Sequence, residues 1–376
     1  MINRDRLLKR FLDLVSINSP SLNEREMADV VMSSIKELGF NAYEDDAGSK
    51  LGGNAGNIIG YLEGESKTGI RLLLSAHLDT VESTEGIAYS MDENGLIKSS
   101  GNTILGADDK AGISVILEAV QTALENKIPF RSIQLVFDVD EERGLGGARL
   151  LKRENLKADL AYVFDTEKPV ASVVISAPSH NRITFTMRGK AAHAGISPEQ
   201  GRNAIVAAAK GISSMHLGRI DYETTANVGV IRGGKAQNIV PDFVEVFAEA
   251  RSRNDEKLEM QTANMVNCMK SAAAECETAL DVDIHREFER YNWSSDDLVV
   301  KLAVKAAKSV GIDSQLIGAG GGSDANIFNT LGLPAVVLGV GYEHAHTSDE
   351  CILIDDLVKT ADFAVALIKG STEENC

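Results

Sequence analysis

Leu7, Phe11, Leu14 and Val15 recur at helical spacing, which predicts an amphipathic first helix ended by Ser19-Pro20. Ser21-Leu22-Asn23-Glu24 reads as a capping box that opens a second helix, stopping at Gly39. Short apolar runs over 57–62, 70–76, 133–139 and 160–164 predict strands, and 109–124 predicts a helix. This alternation predicts an α/β fold whose sheet is mostly parallel and sandwiched between helices. The style changes near Ser179. From Arg182 to Tyr291 the expected order is strand, helix (203–215), two strands joined by a Gly233-Gly234 turn, a long helix (255–279) and a strand. That β-α-β-β-α-β order is the ferredoxin-like α+β pattern. Helices over 296–310, 323–331 and 355–369 and a strand over 335–339 then resume the first style. The chain is therefore expected to hold one discontinuous domain, 1–178 with 292–376, and an inserted domain, 179–291. The tail 373–376 is expected to be loose.

Candidate chemistry clusters at the predicted strand ends. His77-Leu78-Asp79, Ala107-Asp108-Asp109-Lys110, Asp140-Glu141-Glu142, Asp165 and His346 each put hard, metal-binding side chains after an apolar run. In open α/β sheets, sites form at the carboxyl ends of strands. Two divalent ions about 3.5–4 Å apart need a bridging carboxylate, further ligands and a free carboxylate to manage a water. These segments supply that inventory. Taken singly, each also has a structural reading. His77 and Asp79 could be a buried pair, Asp109 a helix-opening acid, and the 138–143 acids a solvated turn. Asp108 is the better bridging candidate because it sits at the strand-to-helix turn. Neighbours in extended chain point opposite ways, so one of Glu141 and Glu142 can bind metal while the other faces the water. Jointly, so many carboxylates around two histidines would repel one another without cations.

The bulk properties narrow the classes. The 376 residues are 44% hydrophobic and 25% charged, ordinary for a globular protein. A formal net charge of -17 disfavours nucleic acid or an anionic membrane as partner. Cys268, Cys276, Cys351 and Cys376 form no CxxC pair and read as reduced thiols. The charged start Met-Ile-Asn-Arg-Asp-Arg does not read as a signal peptide, and no apolar stretch reaches the ~20 residues of a membrane span. A cytoplasmic location is expected. The glycine run from Gly318 to Gly322 fails as a nucleotide loop, because Ser323 stands where the last glycine of GxGxxG belongs.

Ser75-Ala76-His77-Leu78-Asp79-Thr80-Val81, Gly106-Ala107-Asp108-Asp109-Lys110-Ala111-Gly112 and Asp140-Glu141-Glu142 resemble the core motifs of a metallopeptidase family. That family holds peptidase T, carboxypeptidase G, aminoacylase and succinyl-diaminopimelate desuccinylase. Gly189 to Gly195, Leu217 to Asp221, Thr225 to Gly229, Asn238 to Pro241 and Gly321 to Asp324 are more similar to its peptidase T-like tripeptide aminopeptidases. The resemblance implies one zinc held by His77, Asp108 and Asp165, and another by Glu142, Asp108 and His346. His346 is preferred to His344 by the family's His-x-x-x-Glu pattern, met by Glu350. Asp79 would orient His77, and Glu141 would be the general base. His193 would stabilise the oxyanion, and Asn238 and Arg251 would bind substrate. A cis peptide at Asp108–Asp109 is also implied. The implied activity is release of the N-terminal residue from tripeptides by a homodimer paired through the inserted domain. N-acyl amino acid deacylase, dipeptidase or carboxypeptidase activity are the alternatives in the same site, and a non-catalytic metal-binding protein is the alternative in another class. Cobalt or manganese would also suit the imidazole and carboxylate ligands. One departure is Thr166-Glu167-Lys168-Pro169, where relatives carry glycines, so the loop shaping substrate access differs.

Overall fold

A computed structural model of the protein describes residues 1–167 and 169–372; the tail 373–376 lies outside the described residues. The chain divides into two compact units. The first is Met1–Ile175 with Trp293–Gly318 and the segment from Ser323 onward, and the second is Ser176–Asn292 with Ala319–Gly322.

The first unit is built on a mixed sheet with a parallel centre. Four strands, Ser132–Asp138, Leu72–His77, Leu160–Val163 and Ala335–Leu338, lie side by side and run the same way. Every residue in them is buried, so both faces are covered. This is why they read as unbroken apolar runs and not as alternations. The flanks are antiparallel: Ile58–Glu63 and Asn41–Glu44 on one side, Val173–Ala177 on the other. The long helix Ala107–Glu125 packs against Leu72–His77 and meets the helices Arg4–Val15 and Ile354–Gly370.

Three short strands, Tyr89–Met91, Leu96–Ser99 and Cys351–Leu353, form a separate small sheet. They are only three or four residues long, and Tyr89–Met91 is exposed throughout, so no apolar run marks them.

The expected capping box is overturned. The second helix spans Arg25–Glu37 with Glu24 at its N-cap and no side-chain cap. Ser21 Oγ donates instead to Asp79 Oδ2 at 2.6 Å. Glu24 is fully buried and accepts the Leu22 and Asp140 N–H groups. Leu22, at φ +72°, turns the chain away from a helical entry.

The second unit has the β-α-β-β-α-β order. Its four long strands lie in the order Thr224–Gly233, Phe243–Ser252, Ser179–Arg188, Ala279–Phe288, and all three pairings are antiparallel. Ser179–Arg188 and Phe243–Ser252 alternate buried and partly exposed positions. Their buried side chains, such as Ile183, Phe185, Val244 and Val246, share a core with helices Ala204–Ser213 and Asp255–Glu275. The expected tight turn at Gly233-Gly234 is replaced by a loop over 234–242. Its backbone is occupied elsewhere: Ala194 N–H donates to Asn238 O, and Val240 N–H to Ala192 O.

Glu118 couples the first helix to the long helix that opens with Asp108. It is fully buried and accepts from Arg6 Nε at 2.7 Å, Arg6 Nη2 at 2.8 Å and Arg10 Nη1 at 3.1 Å. Without Glu118, Arg6 keeps Glu125 and Arg10 keeps Gln121 as partners, so the loss is that of the charge-assisted hydrogen bonds. Glu118→Ala is expected to destabilise the first unit by about 1–3 kcal/mol, read as a fall in the urea midpoint.

Candidate active site

Each of the four central strands delivers side chains at its carboxyl end. Leu72–His77 ends on His77, with Asp79 two residues on. Ser132–Asp138 leads through Val139 and Asp140 to Glu141 and Glu142. Leu160–Val163 is followed by Asp165, and Ala335–Leu338 by the loop carrying Tyr342 and His346. Parallel strands place all these ends on one edge of the sheet. Asp108 comes from the start of the long helix, where the Asp108–Asp109 peptide is cis and both residues depart from helical geometry. A Cβ on Gly112 would lie 2.3 Å from the Phe164 carbonyl oxygen and 2.4 Å from Asp109 Oδ1. Only glycine lets this first turn close on the neighbouring strand end.

Asp108 stands between two imidazoles. Its Oδ1 is 3.0 Å from His77 Nε2 and its Oδ2 3.2 Å from His346 Nε2. His346 Nε2 is also 3.0 Å from Glu142 Oε1, and His77 Nε2 is 3.8 Å from Asp165 Oδ1. Tyr342 Oη donates to Asp165 Oδ1 at 3.2 Å. Ligand atoms of His77, Asp108 and Glu142 lie within 4.8 Å of one another, as do those of His77, Asp109 and Asp165.

Other acids hold the backbone. Asp79 accepts the Glu141 N–H through Oδ1 at 3.0 Å and the Glu142 N–H through Oδ2 at 3.2 Å. His77 Nδ1 faces the Asp79 backbone oxygen at 3.0 Å and its carboxylate at 3.4 Å. This contact leaves Nε2 to face Asp108. Asp109 accepts the His77 and Gly112 N–H groups. Glu350, fully buried, accepts Gly106 N–H at 2.6 Å and Asp108 N–H at 2.9 Å. It directly precedes the small-sheet strand Cys351–Leu353, which fixes its place.

Burial raises the affinity of Glu141 for a proton, and Asp165, Asp324 and Glu142 add to it against the opposing pull of His77. Asp165 is likewise pushed well up by burial and by Asp108. His346 is raised to about 11 by Asp108 and Glu142. Burial opposes charge on His77, yet its carboxylate neighbours carry it well above the usual range. The cluster therefore draws positive charge. Its donors are imidazole nitrogens and carboxylate oxygens with no thiolate, a set that fits two divalent cations.

Sequence reasoning singled out seven residues that lie together here: His77, Asp79, Asp108, Glu141, Glu142, Asp165 and His346. The other three lie in the second unit. His193 is exposed and forms an isolated bridge with Ile239, next to Asn238. Arg251 lies on Phe243–Ser252, its Nη2 bonded to Glu249 Oε2 at 2.9 Å. Tyr342 and the backbone role of Glu350 escaped sequence reasoning. The His-x-x-x-Glu spacing was the only signal pointing to Glu350.

Residues 73–370 match the family model described as peptidase family M20/M25/M40. An uncharacterised protein of Bacillus subtilis, YqjE, is 42% identical over 99% of this chain and 100% of its own. The crystal structure of aminopeptidase PepT from Bacillus cereus superposes with a TM-score of 0.91 at 40% identity, covering 99% of this chain and 100% of that one. A tripeptidase from Staphylococcus aureus gives a TM-score of 0.92 at 38% identity over 98% of both chains.

Glu350→Gln keeps one acceptor but turns an amide donor toward the other N–H. Metal affinity is expected to fall about 10–100-fold, measured by competition with a chromophoric chelator.

Proposed function

The chain belongs to the peptidase family M20/M25/M40, and from that premise we propose that it is a two-metal aminopeptidase releasing the N-terminal residue of tripeptides. The observation that carries this reading is the placement of Asp108 between His77 and His346, with Glu142 and Asp165 beside them. Similarity to an aminopeptidase and a tripeptidase over nearly the whole chain supports the substrate class.

His77, Asp108 and Asp165 would hold one ion, and Glu142, Asp108 and His346 the other. Zinc suits this donor set, with cobalt or manganese as functional substitutes. When bound, the ions polarise the scissile carbonyl and make a water more acidic. Glu141 takes the proton of the attacking water and returns it to the departing amine. Asp79 keeps His77 in the tautomer that offers Nε2. His193 donates to the oxyanion, Asn238 binds the peptide backbone and Arg251 the terminal carboxylate. We assign the unit over 179–291 to homodimer formation. We place the protein in the cytoplasm. The described cysteines form no disulfide, and no described helix is long and apolar enough to cross a membrane.

Substrate, metal and variant assays test this reading. Trialanine should be cleaved and N-acetyl-trialanine left intact, with chelation abolishing turnover and zinc, cobalt or manganese restoring it to differing degrees. Cleavage of the acetylated peptide would point to a deacylase or carboxypeptidase. Glu141→Gln should bind two metals with kcat lowered by orders of magnitude, and His193→Ala should lose about 10²–10³ in kcat. If the oxyanion donor comes from the partner subunit, mixing these two variants should recover part of the activity. No recovery from subunits shown to exchange would assign His193 to its own subunit's site.

A further inference from the structure

The segment from Ile17 to Glu24 has no part in the reading above, yet it runs alongside the catalytic loops. Pro20 forms a parallel bridge with Thr80, Thr80 N–H donates to Ser19 O, and Ser21 N–H donates to Thr80 O. Lys110, fully buried, donates from Nζ to Ile17 O at 2.7 Å. Two side chains then reach the loops themselves. Ser21 Oγ donates to Asp79 Oδ2 at 2.6 Å, the oxygen that also accepts the Glu142 N–H. Glu24 Oε1 accepts the Asp140 N–H at 3.2 Å and the Leu22 N–H at 2.7 Å. Asp140 has φ +57°, a left-handed conformation immediately before Glu141.

Asp79 is a hub with two oxygens. It sets the backbone of Glu141 and Glu142, and its Oδ1 lies 3.4 Å from His77 Nδ1. An unrestrained carboxylate at a side-chain tip can rotate and lose this register. The Ser21 hydroxyl removes that freedom on one side. Glu24 fixes the peptide on the other side of Glu141, holding Asp140 in a conformation few side chains adopt.

We propose that Ser21 and Glu24 are positioning residues that hold Asp79 and Asp140 so that Glu141, Glu142 and His77 share one geometry. The proposal rests on the metallopeptidase reading for the roles of those three residues. The requirement is specific: position 21 needs a hydroxyl donor and position 24 an acceptor oxygen. Ser21→Thr and Glu24→Gln keep these groups, whereas Ser21→Ala and Glu24→Ala remove them.

The four variants and the wild-type protein are compared in three measurements: cobalt affinity by chelator competition, kcat and KM on trialanine, and the thermal midpoint of the metal-free protein. Ser21→Ala is expected to weaken cobalt binding about 10-fold or more and lower kcat, with KM within about twofold. Glu24→Ala is expected to weaken cobalt binding about 10-fold or more and to lower kcat about 10-fold or more, because a small misplacement of reacting groups can cost up to about 10²-fold. Ser21→Thr and Glu24→Gln should recover most of each loss. A lowered thermal midpoint with wild-type cobalt affinity and kcat would overturn the proposal, as would equal losses in the conservative variants. If the wild-type protein leaves trialanine intact, the substrate reading fails. The cobalt arm then decides the positioning role by itself.

Discussion

Asp108 places one carboxylate oxygen 3.0 Å from His77 Nε2 and the other 3.2 Å from His346 Nε2. These histidines follow different strands and are separated by most of the chain. A single carboxylate can join them only if the long helix begins at one exact height against the sheet. Much of the first unit serves that demand. Glu350 ties down the Gly106 and Asp108 N–H groups, Gly112 lets the turn approach Phe164, and Glu118 anchors the helix to the first helix of the chain.

The acids of the site divide into two kinds. Asp79, Asp109 and Glu350 accept backbone N–H groups through both carboxylate oxygens. Asp108, Glu142 and Asp165 instead point their oxygens at imidazole or at one another's neighbourhood. The first kind is neutralised locally by peptide dipoles and keeps the loops in place. The second kind offers its oxygens toward imidazole nitrogens, an arrangement a divalent cation can use. Adjacent residues fall into different kinds: Asp108 faces histidines while Asp109 holds backbone. The non-helical geometry of both residues accompanies that split.

The same economy explains why a polar residue near a helix start can mislead. Ser21 and Glu24 have the spacing of a capping box, and a helix does follow. Their side chains are drawn to Asp79 and to the Asp140 peptide instead. Both of those partners are buried, so leaving them unpaired would cost more than leaving a helix end to solvent.

Periodicity along the chain was enough to locate the central strands, the long helix and the β-α-β-β-α-β segment, because burial on both faces or on one stripe leaves a strong local signature. The strand ends that carry the candidate site were legible for the same reason: hard side chains stand out directly after apolar runs. The sequence favoured Asp108 over Asp109 as the bridging candidate, but it could not show that Asp79, Asp109 and Glu350 accept peptide N–H groups. Nor could it show the small sheet that carries Glu350, the Tyr342 contact with Asp165, or the true partners of Ser21 and Glu24. Those facts depend on hydrogen bonds between residues roughly 60 to 240 positions apart, such as Asp79 with Glu141 or Glu350 with Gly106. Local pattern records which face of an element is apolar. Only the packed chain decides which buried polar group finds which partner.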